Sequence, residues 1–208
     1  MARHGNTRIV QDDKREEDMA RIFGTHWNAH REAADSHTDE GIELEFKSHS
    51  KPSVSTARDL GYAYLDRMSK RYWVLGRFIN HDSGHVWQSF RFMAPQHLKG
   101  WFDKIRGKLD ADKEVANRVV SVLQAANVDE AIIERAAKLM KDGALLNDPN
   151  IPAKYIEANS IEITENHPER LKELIQQFPI DNTEPSKEDG DMHDDIFVFV
   201  DSKIDKFI

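Results

Sequence analysis

The chain has 208 residues, 29 Lys+Arg against 37 Asp+Glu, a formal net charge of −8 and no cysteine, which excludes disulfides, zinc–thiolate centres and thiol catalysis. No apolar run approaches the roughly 18 residues of a membrane span, and the opening MARHGNTRIVQDDKREED lacks the apolar core of a signal peptide, so a soluble cytoplasmic protein with no membrane partner is expected. The acidity opposes general polyanion binding, but it is uneven: residues 1–110 carry 18 Lys+Arg and 16 Asp+Glu, a balance of +2, and residues 111–208 carry 11 and 21, a balance of −10, which points any nucleic-acid surface to the first half.

Gln11 to Phe23 reads as a charged amphipathic helix with Met19, Ile22 and Phe23 inward, Glu16 and Glu17 in solvent, and Gly24 as its stop. Trp27 to His37 leads into a hairpin. In Gly41-Ile42-Glu43-Leu44-Glu45-Phe46-Lys47 apolar and charged residues alternate, the period of a strand with one apolar and one charged face. Asp39-Glu40-Gly41 before it suits a three-residue loop, a type I turn closed by a glycine in the left-handed region. That loop sets Thr38 opposite Ile42 and therefore Asp35 opposite Glu45.

Opposed residues share a face with Cβ atoms about 5 Å apart, and Lys47 leaves the same face roughly 6.7 Å further along. Two carboxylates facing each other destabilise a sheet unless a positive charge joins them. A hard divalent cation such as Mg²⁺ takes carboxylate oxygens and keeps several waters. The first acid is Asp35 or Asp39. Asp35 is preferred, because Asp39 has a sufficient local reason to exist as a turn residue.

After Lys47 comes a polar loop with Ser48, Ser50, Lys51, Ser53, Ser55, Thr56 and Arg58, a set suited to DNA phosphates or to ordinary capping. The following helix N-terminus adds oriented N–H groups. Positions 57, 60, 64, 65 and 68 have helical apolar spacing, Tyr72 to Ile79 reads as a buried strand, and His85 to Met93 as another. Strand, helix and buried strand imply a parallel pair. Ala94 to Ile105 reads as a helix entered through Pro95.

Asp35-(x)9-Glu45-Phe46-Lys47 at the end of a hairpin, followed by helix, strand, strand and helix, resembles the PD-(D/E)XK nuclease superfamily, above all its type II restriction endonucleases. The resemblance covers about residues 12–106; Ala34 stands where the family often has proline. It implies a restriction-endonuclease-like mixed β-sheet flanked by helices, an α/β fold. It also implies Mg²⁺ held by Asp35, Glu45 and the Phe46 carbonyl, a catalytic Lys47, and a homodimer cutting double-stranded DNA at a specific site. Family members often carry a further acid on a helix like the first one.

Residues 1–110 are thus expected to form the nuclease core and 111–208 a mainly helical region for DNA recognition, dimerisation or both, either separate from the core or in one compact domain with it. In that region Asp112 to Ala126 is a helix with Val115, Val119, Val122 and Leu123 inward. Val128 to Lys141 is a second, capped by Asn127 or Asp129 and ended by Gly143, with Ile132, Ile133, Ala136 and Met140 inward. Leu145 to Pro152 is a loop, Ile161 to Ile163 a short strand, His167 to Gln177 a helix, Thr183 to Asp195 an acidic loop and Ile196 to Val200 a last strand. His81-x3-His85 has zinc-like spacing across a turn but lacks a third ligand. Trp73, Trp87, Phe90, Phe92 and Trp101 are spaced as core residues. Two other readings stand beside the restriction enzyme: another nuclease with the same core, for repair or phage replication, and a non-catalytic interaction protein.

Overall fold

The computed structural model describes residues 7–28, 34–56, 62–82, 84–142 and 150–180. The chain divides into two compact units. The first comprises residues 1–56, 68–99 and 150–184, the second residues 57–67, 100–149 and 185–208. The fold is mixed α/β, the class expected from the sequence.

Helix α1 (Thr7–Phe23) opens the first unit, and Gly24, at φ +63°, lets the chain turn out of it. Strands β1 (His26–Trp27), β2 (Ser36–His37) and β3 (Glu43–His49) follow. Then come β5 (Tyr72–His81) and β6 (Gly84–Met93), with β4 (Val54–Ser55) between β3 and β5 in the chain. Beyond the second unit the chain returns through β7 (Asn150–Ile151), α5 (Ala153–Asn159), β8 (Ile161–Ile163) and α6 (His167–Gln177). Among the described residues six strands form one sheet in the order β1-β2-β3-β5-β6-β8, with β3 and β5 parallel and the other neighbours antiparallel. The parallel pair is the one the strand–helix–strand pattern predicts. Strands β4 and β7 form a separate two-stranded ladder, where the sequence suggests the start of a helix at 54–55 and a loop at 150–151.

One sheet face presents Leu44, Phe46, Tyr72, Val74, Phe90 and Phe92 to Met19, Ala20 and Phe23 of α1 and to Leu171, Leu174 and Ile175 of α6. The period-two alternation of β3 and the helical spacing of 19, 20 and 23 thus meet in one core. Burying a side chain such as Leu44 contributes roughly 2 kcal/mol. Close approach here requires glycine at position 76, where a Cβ would lie 2.5 Å from Trp87 Cζ3 and 3.0 Å from Met19 Sδ.

The second unit holds most of α2 (Tyr62–Met68), the greater part of α3 (Pro95–Ala125) and α4 (Glu130–Asp142). The sequence reading broke α3 into two helices at about residue 106. It is continuous, because the stripe Trp101, Phe102, Ile105 and Leu109 runs on to Ala116 and Val120, all buried. Its two glycines, Gly100 and Gly107, each cost only about 1 kcal/mol in a helix interior. That stripe also corrects the inward set: Val115, Val119 and Val122 are exposed, and Leu123 is half-buried. In α4 Ile133 is buried, but Ile132, expected inward, is exposed. Asp129 caps α4, its Oδ1 accepting the Ala131 N–H at 3.0 Å. The expected boundary at residue 110 falls inside α3, and β8 and α6 belong with the sheet. Met140, Gly143, the acidic loop and the strand 196–200 lie outside the described residues or side chains. Among the described residues no helix is long and apolar enough to cross a membrane.

Candidate functional site

The hairpin has the expected register. Ser36 pairs with Leu44 and His37 with Glu43; the Thr38 N–H donates to the Ile42 carbonyl at 3.0 Å, and the Gly41 N–H to the Thr38 carbonyl at 2.9 Å. Gly41 takes φ +78°, the left-handed conformation the loop requires. Asp39 and Glu40 occupy the tip. Asp39 is exposed and bonds His26 Nε2 at 2.7 Å, and Glu40 faces Lys172 at 3.4 Å. Asp39 is thus a turn residue, separate from the other acids.

Past Ser36 the β2–β3 ladder opens. Asp35 is fixed from both sides: its carbonyl accepts the Asn28 N–H at 2.9 Å, and its carboxylate Oδ2 accepts the Phe46 N–H at 2.7 Å. Ser36, fully buried, anchors the same turn by donating to the His26 carbonyl at 2.9 Å and lying 2.7 Å from Thr25 Oγ1. A strand residue's N–H and C=O leave the same edge, so the Phe46 carbonyl also faces the open side of β3.

Lys47 joins the two acids. Its ammonium contacts Glu45 Oε1 and lies 3.9 Å from Asp35 Oδ2 and 5.8 Å from the centre of the Trp73 ring. The charged face is not a solvated one: Glu45 is 3 % exposed. Its other oxygen, Oε2, accepts from Arg71 Nη1 at 3.3 Å, and Arg71 Nε donates to Glu43 Oε2 at 2.8 Å. The parallel register of Leu44 with Tyr72 places residue 71 beside residue 43. Arg71 was not anticipated; its neighbours Arg67 and Lys70 gave the sequence no way to single it out.

Glu16 corrects the sequence reading. It is half-buried, whereas Glu17 is exposed as expected. Desolvation lifts the Glu16 carboxyl to about 8; Asp35, Glu45 and Asp13 push in the same direction and Lys47 pulls back. Helix α1 therefore brings a third acid to the Asp35–Glu45–Lys47 group. The signal was its spacing: 16, 19, 20 and 23 lie on one helical face, and an acid on an apolar stripe has to be met by something. Burial likewise raises Glu45 to about 7, with Lys47 and Arg71 opposing and Asp35 adding to the rise. Both shifts are led by burial, and the neighbouring Asp35 carboxylate adds to each.

Asp35, Glu45 and the Phe46 carbonyl fit a hard cation in donor type. Among the described residues no three His, Asp or Glu side chains form a ready cage. Mg²⁺ is ordinarily held by one or two carboxylates, with waters and substrate phosphate completing the set.

The polar loop is only partly available. Ser48 lies within β3 and accepts from Arg15 Nε at 2.9 Å; Ser55 is exposed but paired in β4; Thr56 is buried; Ser50 and Lys51 are exposed and Ser53 half-buried. Ser55 is a strand residue rather than a helix cap, and Ser53 also precedes that strand. Arg58 and the helix start at 57–61 lie outside the described residues. Compared with the models of known protein families and with curated proteins, the sequence matches none.

Proposed function

We propose that this chain is a Mg²⁺-dependent endonuclease of the PD-(D/E)XK type. It would hydrolyse phosphodiester bonds of double-stranded DNA at a specific site, as a cytoplasmic homodimeric type II restriction enzyme does. One observation supports this most: the Lys47 ammonium reaches Asp35 and Glu45 together, at the edge where β2 leaves β3.

In this reading Asp35, Glu45 and the Phe46 carbonyl hold the cation, with Glu16 as a nearby further acid. Bound Mg²⁺ would stabilise charge on the phosphate and the leaving oxygen. Asp35 is held to the Phe46 N–H, so the acid and the strand edge move as one body. Lys47, flanked by two acids and Trp73, orients the attacking water and offsets the charge that develops on the phosphate. Ser50, Lys51 and Ser53 offer donors for the neighbouring DNA backbone.

Plasmid digestion with Mg²⁺ and with EDTA tests this. The expected result is discrete fragments with Mg²⁺ only, and a loss of about 10²–10⁴ in rate for Lys47→Ala. A smear assigns the chain to another nuclease activity on the same core. Lys47→Ala cutting at the wild-type rate, or no cutting by the wild type, overturns the proposal.

A further inference from the structure

We propose that the β5–β6 hairpin is the element that reads DNA sequence: a two-stranded ribbon whose bare face enters the major groove, with Arg77 and Gln88 on base edges and Ile79 and Val86 on thymine methyls. This rests on the nuclease reading above and adds the recognition element. The ribbon outruns the sheet. Strand β3 pairs with β5 only as far as His49 opposite Arg77, and β8 pairs with β6 only from Phe90 to Phe92. Among the described residues, Phe78 to His81 and Gly84 to Trp87 pair only with each other. The two faces of this ribbon differ. One is fastened to α1: Trp87 Nε1 donates to Asp18 Oδ2 at 2.6 Å, and the Arg15 guanidinium lies 4.6 Å from the Phe78 ring centre. The other is bare. Ile79 and Val86 are cross-strand partners, each 47 % exposed, and Arg77, His81 and Gln88 are exposed as well.

The bare face is also the one that carries Lys47. Lys47 pairs with Leu75 in the parallel register, and Leu75, Arg77 and Ile79 follow at period two along β5, so all four share a side of the sheet. Four residues take Ile79 about 13 Å beyond the level of Lys47. That is close to the roughly 12 Å width of the major groove, which admits a two-stranded β-ribbon. A phosphate held at Lys47 and base edges met by the ribbon then belong to one duplex. The charges fit a polyanion: Arg77 stands opposite His49, two residues before the exposed Lys51, and Asp82 is the one acid between 77 and 89. Gln88 is the extra residue of a bulge between the Arg77–Ser89 and Phe78–Trp87 pairs, and a bulge re-aims its side chain. Arginine suits guanine, glutamine suits adenine and apolar side chains suit the thymine methyl. With its other face packed on α1, the ribbon presents these groups without first having to order itself.

Selecting bound duplexes from a random-sequence pool in EDTA measures recognition without cutting, and sequencing the ends cut from the same pool with Mg²⁺ gives the motif by a second route. The wild type is expected to enrich a defined motif. Arg77→Ala and Gln88→Ala should each lower discrimination at one base pair of it by about tenfold or more. Lys51→Ala should weaken binding evenly across sequences. All three side chains are exposed, so the urea midpoints of these variants should match the wild type. A motif that both ribbon variants leave unchanged, or binding that falls evenly across sequences in both, overturns the inference. So does a wild type that cuts but shows no motif by either route. If Mg²⁺-dependent plasmid cutting persists in these cases, the nuclease reading stands. A ribbon-dependent motif without any cutting removes the nuclease reading and leaves the ribbon as a DNA reader, and neither binding nor cutting by the wild type removes both. Should Ile79→Asp with Val86→Asp turn a dimer into monomers and leave the motif intact, the apolar pair is an interface between copies and the inference fails.

Discussion

Glu45 ties the stability of the metal-free protein to pH, and the sign follows from its burial. Its carboxyl rises from 4.5 to about 7 on folding, chiefly by desolvation. A group raised in the folded state stabilises it fully below its unfolded value, and that contribution is lost as pH climbs through the folded one. At about 1.4 kcal/mol per unit the whole effect is near 3 kcal/mol. About 2 kcal/mol of it disappears between roughly pH 5.5 and 8.5, or about 4–8 °C in Tm for a chain of this size. Glu16, raised to about 8, acts in the same direction. His49 and His97, held below the usual imidazole range by burial, act oppositely at the acid end. The measure is therefore the difference between wild type and Glu45→Gln in urea unfolding across that range. The wild type should lose about 2 kcal/mol relative to the variant as pH rises. Mg²⁺ should restore more stability at the alkaline end, where it no longer competes with protons. A difference that is flat, or that grows in the other direction, refutes the reasoning.

Gly76→Ala should cost about 1–3 kcal/mol in urea unfolding, because the new methyl meets the Trp87 ring; a neutral result would mean that the ring is free to move. Gly41→Val should cost about 1–2 kcal/mol by forcing a branched residue to φ +78°, measured in the same assay. Val120→Asp should destabilise the protein by more than about 3 kcal/mol, while Val122→Asp should stay within about 0.5 kcal/mol. Equal effects of the two aspartates would return Val122 to the core.

Local rules made the hairpin legible. A three-residue loop ending in glycine sets a register, and a register sets faces, so the approach of residues 35, 45 and 47 followed from Gly41 alone. The parallel β3–β5 pair followed from the same kind of reasoning. What stayed hidden depends on partners distant in sequence. Glu45 is buried because Arg71 and Lys47 meet both its oxygens, and alternation alone cannot tell a solvated acid from a paired one. Strands β4 and β7 are two residues each, and their pairing joins positions nearly a hundred residues apart, so no local pattern could find them. In α3 the valines at 115, 119 and 122 have helical spacing of their own. Only the longer stripe from Trp101 to Val120 decides which face is inward.

The burial of Glu45 also bears on what the cluster is for. A strand that needed only solubility would keep its acids in water, where a surface ion pair adds little. Here an acid is buried beside a second acid, with a third arriving from α1, and Lys47 and Arg71 pair with the buried one. Replacing a buried ion pair with well-packed apolar residues is often neutral or stabilising. A fixed group of acids beside the β2–β3 ladder is what the proposed cation site requires.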